Sequence, residues 1–182
     1  ILKCKAFILF NNMNCLPCVY AINSLPFSNN INWDDATINT PYFSFENQIK
    51  KAKVVKVYDG DTIKIVFPVN KEFFKFSCRL SGIDTPEMKS HDKNEKNYAH
   101  FVQKKLSDRI LNQMVTVRCG KFDKYGRLLI TIYHNNSVKS VNKWLMEKKY
   151  ALPYDGGKKN SWSEYLKLHN ELLNQISGTS SL

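Results

Sequence analysis

The chain has 182 residues, 43% of them hydrophobic and 24% charged, with 27 Lys and Arg against 16 Asp and Glu for a formal net charge of +11. That length suits one compact domain with a tail rather than two full domains, and no apolar run reaches the roughly twenty residues of a membrane-spanning helix. The basic surplus draws polyanions such as nucleic acid to the surface, although lysine-rich surfaces also serve solubility alone.

Residues 1–50 show no sustained period and predict an irregular N-terminal arm, with Trp33, Tyr42 and Phe45 available to lie on a domain spanning 51–178. Near the start, Ala6-Phe7-Ile8-Leu9-Phe10 follows two lysines like a faint signal peptide, but Asn11, Asn12 and Asn14 interrupt it. Cys15-Leu-Pro-Cys18 has the spacing of half a zinc site without a second pair, so Cys4, Cys15, Cys18, Cys78 and Cys119 are expected as free thiols. Translation from Met13 would leave Cys15 and Cys18 beside the terminus, open to acylation and membrane anchoring. An intracellular location is favoured over a secreted one on this reading.

From Lys53 the pattern turns to strands. Val54, Val55 and Val57, then Thr62-Ile63-Lys64-Ile65-Val66, flank Asp59-Gly60 and predict a hairpin. Phe74, Phe76, Cys78 and Leu80 alternate with Lys75, Ser77 and Arg79, a period of two that turns one face inward. After a loop with Gly82 and Pro86, polar to Asn97, the residues Tyr98, Phe101, Val102, Leu106, Ile110 and Met114 recur at helical spacing. Two more strands, Val115 to Arg118 and Leu128 to Tyr133, flank a turn. A helix around Val141, Trp144 and Leu145 follows, then a capped helix from Ser161 with Tyr165, Leu168, His169, Leu172 and Ile176 on one face. The fold class expected is α+β, a five-stranded OB-fold barrel with about three helices and an irregular arm.

The chemistry-bearing residues fall at strand ends. Asp61 lies in the hairpin signal, and Asp84-Thr85-Pro86-Glu87 in the loop after the third strand. Each acid alone has a turn-forming explanation, but three carboxylates on two loops could converge on one cation. Arg79 and Arg127 each stand beside a turn, with guanidinium forks suited to phosphate oxygens; each alone is also an ordinary solvated charge.

Val57-Tyr58-Asp59-Gly60-Asp61-Thr62, Arg79-Leu80-Ser81-Gly82-Ile83-Asp84-Thr85-Pro86-Glu87 and Asp123-Lys124-Tyr125-Gly126-Arg127 resemble the three signature segments of the staphylococcal nuclease family, in order and at similar separations. The resemblance runs from about Lys53 to Tyr150. It implies a calcium-dependent endonuclease acting on DNA and RNA, with single strands favoured and products bearing a 3′-phosphate and a 5′-hydroxyl. It implies Asp61 and Asp84 as Ca2+ ligands through side chains and Thr85 through its carbonyl. Glu87 would be the general base, Arg79 and Arg127 the groups stabilising the transition-state charge, and Lys124 and Tyr125 contacts to a neighbouring phosphate. Tyr154, in Tyr150-Ala151-Leu152-Pro153-Tyr154-Asp155, stands where the family prototype carries a pair of base-holding tyrosines, with packing as an equal explanation. No obligate protein partner is implied, and a monomer is expected. The alternative is a non-catalytic nucleic-acid- or protein-binding OB-fold module. A mere binder needs no metal-plus-base set, since acids repel phosphate unless a cation intervenes.

Overall fold

The computed structural model describes residues 32–134 and 137–177. Cys4, Met13, Cys15 and Cys18, with the signal-like segment, lie outside the described residues, as does the side chain of Ile176. The chain divides into two units between Tyr42 and Phe43. The described part of the first holds a 3-10 turn, Trp33–Asp35, capped by the Asn32 side chain. The second takes in residues that the sequence pattern leaves in the arm: Phe45 is buried, and the first strand opens at Ile49. A single buried aromatic before a strand leaves no periodic trace.

Five strands close into a barrel: β1 (Ile49–Val57), β2 (Thr62–Val69), β3 (Glu72–Leu80), β5 (Met114–Phe122) and β6 (Leu128–His134), in the order β1-β2-β3-β6-β5. A two-residue strand, β4 (Ile83–Asp84), and helix α1 (Lys93–Ile110) come between β3 and β5. Helix α2 (Val141–Glu147), β7 (Leu152–Pro153), α3 (Trp162–Leu168) and α4 (Asn170–Ser177) complete the chain. This is the expected OB-fold α+β barrel, with four helices where about three were expected. The alternation expected in β3 holds only toward its end: Cys78 and Leu80 are buried and Phe76 partly so, but Phe74, near the β2–β3 turn, is 46% exposed. β2 alternates throughout its first six residues, with Ile63, Ile65 and Phe67 in the core and Thr62, Lys64 and Val66 away from it. The inward residues of all five strands and the Tyr98, Phe101, Val102, Leu106 and Ile110 face of α1 form one cluster. Each fully buried side chain of this kind stabilises the fold by roughly 1.5–3 kcal/mol. Cys78 and Cys119 are free and buried in it, and burial pushes both thiols up.

Four details depart from the sequence pattern. Helix α1 starts at Lys93, well before Tyr98, because Asp92 caps it and accepts a hydrogen bond from Glu95 N at 2.9 Å. Met114 is the first residue of β5 and exposed, since Asn112 takes a left-handed φ of 61° and ends the helical path. The final helix breaks at His169 (φ −124°, ψ 59°), whose ring packs on Tyr165 at 4.4 Å. Leu168 is therefore exposed; it lies about 240° around the helix from buried Trp162. The β1–β2 link is not a two-residue turn: Asp59 Oδ1 accepts from Asp61 N and Thr62 N, at 3.0 and 2.6 Å. Gly60 is there for space, because a Cβ would sit 2.8 Å from the Thr85 side chain. That close approach seats the Asp61 loop directly on the Thr85 loop.

Candidate active site

The site forms where strand ends meet. β3 and β6 run parallel over Cys78–Leu80 and Leu128–Ile130, and the buried Asn142 of α2 stitches their ends. Its Nδ2 donates to Ser81 O at 2.9 Å and Ile130 O at 3.2 Å, while its Oδ1 accepts from Ile132 N. β4 then pairs with β7, Asp84 against Leu152, which fixes the Asp84 backbone and brings Tyr154 N to Gly82 O at 3.1 Å. On the facing side, Asp123 N donates to Arg127 O and Gly126 N to Asp123 O. Gly126 supplies the φ of +75° that such a tight β5–β6 turn requires.

These loops enclose a cleft of about 510 Å³ lined by Asp61, Arg79, Thr85, Glu87, Arg127 and Lys159, with Lys124, Tyr125 and Tyr154 also on its walls. Asp84 lies just behind, 3% exposed. The charged groups form a continuous chain of alternating sign. Arg127 Nη1 is 3.5 Å from Thr62 Oγ1, which donates to Asp61 Oδ1 at 3.0 Å. Arg79 Nη1 then meets Asp61 Oδ2 at 2.6 Å, and Arg79 Nη2 reaches Ile83 O at 3.1 Å and Asp84 Oδ1 at 3.4 Å. Lys159 Nζ continues it, 2.9 Å from Asp84 Oδ1 and 2.6 Å from Glu87 Oε1. One guanidinium thus orients two buried carboxylates, and one ammonium joins the second of them to Glu87.

All nine predicted residues are brought to this one place. Lys124 lies over the Tyr125 ring at 5.2 Å, and Arg127 at 5.4 Å from the same ring. The Tyr154 ring covers the Arg79 guanidinium at 5.6 Å. The expected meeting of Asp61, Asp84 and Glu87 around one point is corrected: among the described residues no three carboxylate, His or Cys side chains gather closely enough to hold a metal by themselves. Glu87, its side chain 58% exposed, is held off by Lys159.

Several functional neighbours carry no signal of their own in the sequence. Lys159 lies in Gly156-Gly157-Lys158-Lys159, a plain basic loop until the fold closes. Burial works against its charge, yet Glu87 and Asp84 outweigh that and hold its ammonium up at about 12. Glu95 anchors the Glu87 loop, accepting from Glu87 N at 3.1 Å, Ser90 Oγ at 2.7 Å and Ser163 Oγ at 3.2 Å. Trp162 Nε1 donates to Asp84 Oδ2 at 3.3 Å. Asp123, at the start of the β5–β6 turn, grips Arg127 through Nε and Nη2, both at 2.8 Å. Burial opposes its charge, but the backbone N–H groups of Arg127 and Tyr125 and the Arg127 guanidinium prevail and hold its carboxyl below the usual range.

Asp61 and Asp84 offer two buried carboxylates and Thr85 a main-chain carbonyl, all hard oxygens of the kind calcium takes. Burial pushes the Asp61 carboxyl up to about 6 even with Arg79 beside it. The residues fit a calcium ion that draws its remaining oxygens from water and substrate.

The protein is an α+β OB-fold barrel with an acid- and arginine-lined cleft at the ends of its strands. A family model described as staphylococcal nuclease homologue matches residues 77–172, more than half of the chain. An uncharacterized protein of Methanocaldococcus jannaschii is 33% identical over 124 residues, covering 56% of this chain and 58% of its own length. Endonuclease YncB of Bacillus subtilis is 27% identical over 127 residues, covering 68% and 57%. A probable endonuclease of Uncinocarpus reesii is 32% identical over 123 residues, covering 58% and 38%. This chain belongs to the family of staphylococcal nuclease homologues. It spans less than three-fifths of the length of each of these relatives.

Proposed function

We propose that the chain is a calcium-dependent endonuclease that hydrolyses DNA and RNA to products with a 3′-phosphate and a 5′-hydroxyl. The observation that carries this reading is the alternating chain of charges from Arg127 to Glu87 around one cleft. A binding module gains nothing from buried acids at a phosphate site, whereas phosphodiester hydrolysis needs a cation, a base and fixed donors. Two relatives named as endonucleases add to the support.

Asp61, Asp84 and the Thr85 carbonyl would hold the calcium ion, which when bound neutralises phosphate charge. Glu87 accepts a proton from the attacking water as its oxygen bonds to phosphorus and the bond to the 5′ oxygen breaks. For this, Glu87 must exchange its contact with Lys159 for one with water. Lys159 keeps Asp84 as a partner and stays beside the site as a positive group. Arg79 and Arg127 donate to the phosphoryl oxygens as charge builds on them, and the leaving 5′ oxygen takes up a proton. Asp123 keeps the Arg127 fork from swinging into solvent. Tyr125, 72% exposed, and Lys124 border the cleft where a neighbouring phosphate would lie.

The test is cleavage of end-labelled single-stranded DNA and RNA with calcium, with magnesium and with a chelator, followed by analysis of the product ends. Cleavage with calcium alone, leaving 3′-phosphate ends, is expected. Undiminished turnover in chelator, or 5′-phosphate ends, overturns the reading.

A further inference from the structure

The outer face of β1, β2 and β3 is basic in a way that the cleft does not explain. A β-bulge at Val54–Lys56 shifts the phase of β1, so that Lys56 comes outward directly opposite Lys64 of β2. Lys64 pairs in turn with Ser77 of β3, and the next row reads Lys53, Val66, Lys75. Like charges placed opposite each other on a sheet are destabilising. Among the described residues, Lys53, Lys56, Lys64 and Lys75 take part in no salt bridge; the lysines that do are Lys121, Lys139, Lys149 and Lys159. A bulge that sets two lysines face to face, with no acid to relieve them, points to an anion that lies across both.

The same face has direction. Phe73, Lys75, Ser77 and Arg79 occupy alternate positions of β3, so they stand in line on one side of the strand. The line begins at Phe73, 78% exposed beside the Asn70-Lys71 turn, and ends at Arg79 in the cleft. Six residues of strand cover about 20 Å. Val66 at the centre is only half-buried and gives the lysine stems an apolar floor. An exposed aromatic ring at one end and a file of cations toward the reacting centre are the elements of single-strand recognition: stacking for a base, point charges for the phosphates.

We propose that the outer face of β1–β3 is a binding track for a single strand of DNA or RNA, entered at Phe73 and leading to Arg79. The inference rests on the reading of the cleft as a site for a polynucleotide, and it adds where the strand outside the cleft lies. A single strand is favoured over a duplex because the Phe73 ring can stack only on an unpaired base.

The test is equilibrium binding of a fluorescent 12-nucleotide DNA strand to the full chain in chelator across a salt series. Two variants of equal charge are compared with the parent. One is Lys56→Gln/Lys64→Gln/Lys75→Gln; the other is Lys121→Gln/Lys139→Gln/Lys149→Gln, on lysines with acidic partners. The track variant is expected to flatten the slope of log affinity against log salt by about 2, at about 0.7 per phosphate contact on a single strand. The control variant and a dinucleotide ligand should leave the parent values nearly unchanged. Replacing the three track lysines with arginine should restore the slope, which separates lost charge from lost folding. Equal slopes for the two glutamine variants would mean that bulk charge alone acts, and would overturn the track. So would loss of phosphatidylserine-vesicle binding by the track variant with oligonucleotide binding intact, which would assign the face to a membrane. Because binding is read without turnover, a chain that keeps the track effect but never cleaves refutes the nuclease reading alone. A chain that cleaves with an unaltered slope refutes the track alone.

Discussion

Replacing Glu87 with glutamine is expected to lower the single-turnover rate of DNA cleavage by about two to four orders of magnitude, the usual contribution of a positioned general base. Folding should barely change. The Glu87 side chain is 58% exposed, and among the described residues its only side-chain bond is the 2.6 Å contact with Lys159. The loop around it is fixed instead by Glu95, which receives the Glu87 N–H and so holds whatever residue stands at 87. Lys159 keeps Asp84 at 2.9 Å, so the ammonium should not swing away in the variant. The loss should therefore fall on the chemical step, with oligonucleotide affinity in chelator unaltered. A glutamine variant with parental turnover would remove Glu87 from the reaction and move the base elsewhere. A variant that unfolds would show that the Lys159 contact carries stability the exposed geometry does not suggest.

Arg79→Met should act on stability as well as on turnover. The guanidinium is 12% exposed and sits between two carboxylates that are 5% and 4% exposed, with a third bond to the Ile83 carbonyl. Removing one partner of a buried ion pair costs about 3–5 kcal/mol, because a charge is left without compensation in a poorly solvated place. Here two charges would be left. Burial already pushes Asp61 up to about 6 with Arg79 present, so the acid has little margin. The expected result is a large drop in unfolding temperature in chelator that calcium partly reverses, with turnover still far below parental. Arg79→Lys should also fail to restore the rate, since one ammonium cannot reproduce a fork that spans Asp61, Asp84 and Ile83 O at once. A methionine variant as stable in chelator as the parent would show that the two acids do not rely on Arg79.

The barrel was legible because its strands are β-branched and aromatic runs separated by turn residues. Period alone placed Cys78 and Leu80 inside, but it placed Phe74 there too, which is 46% exposed near the β2–β3 turn. The site was legible for another reason: eight of its nine residues sit in three short segments that resemble the staphylococcal nuclease signatures, and only Tyr154 lies outside them. What escaped the sequence depends on contacts between distant parts. Lys159 reaches Glu87 across 72 positions, and Trp162 reaches Asp84 across 78, so neither shows a local pattern. Asp59-Gly60 looked like a tight hairpin turn, when the glycine in fact makes room for Thr85. Met114 continued the helical spacing of α1 by coincidence, and only the left-handed Asn112 marks the true end. The file of lysines on β1–β3 was hidden by the bulge at Val55, which changes phase in the middle of a strand.

The proposed chemistry depends on Asp61, Asp84 and the Thr85 carbonyl receiving one divalent ion in front of Arg79. Calorimetric titration of the full chain with calcium, beside Asp61→Asn, addresses this most directly. Asparagine keeps the shape and can still accept a hydrogen bond from Arg79, so the change removes mainly charge. The parent should bind one calcium ion per chain, and Asp61→Asn should bind it at least about tenfold more weakly, a cost of about 1.4 kcal/mol or more. A parent that binds no calcium, or an asparagine variant that binds it as tightly as the parent, would contradict the placement of the ion and with it the proposed chemistry.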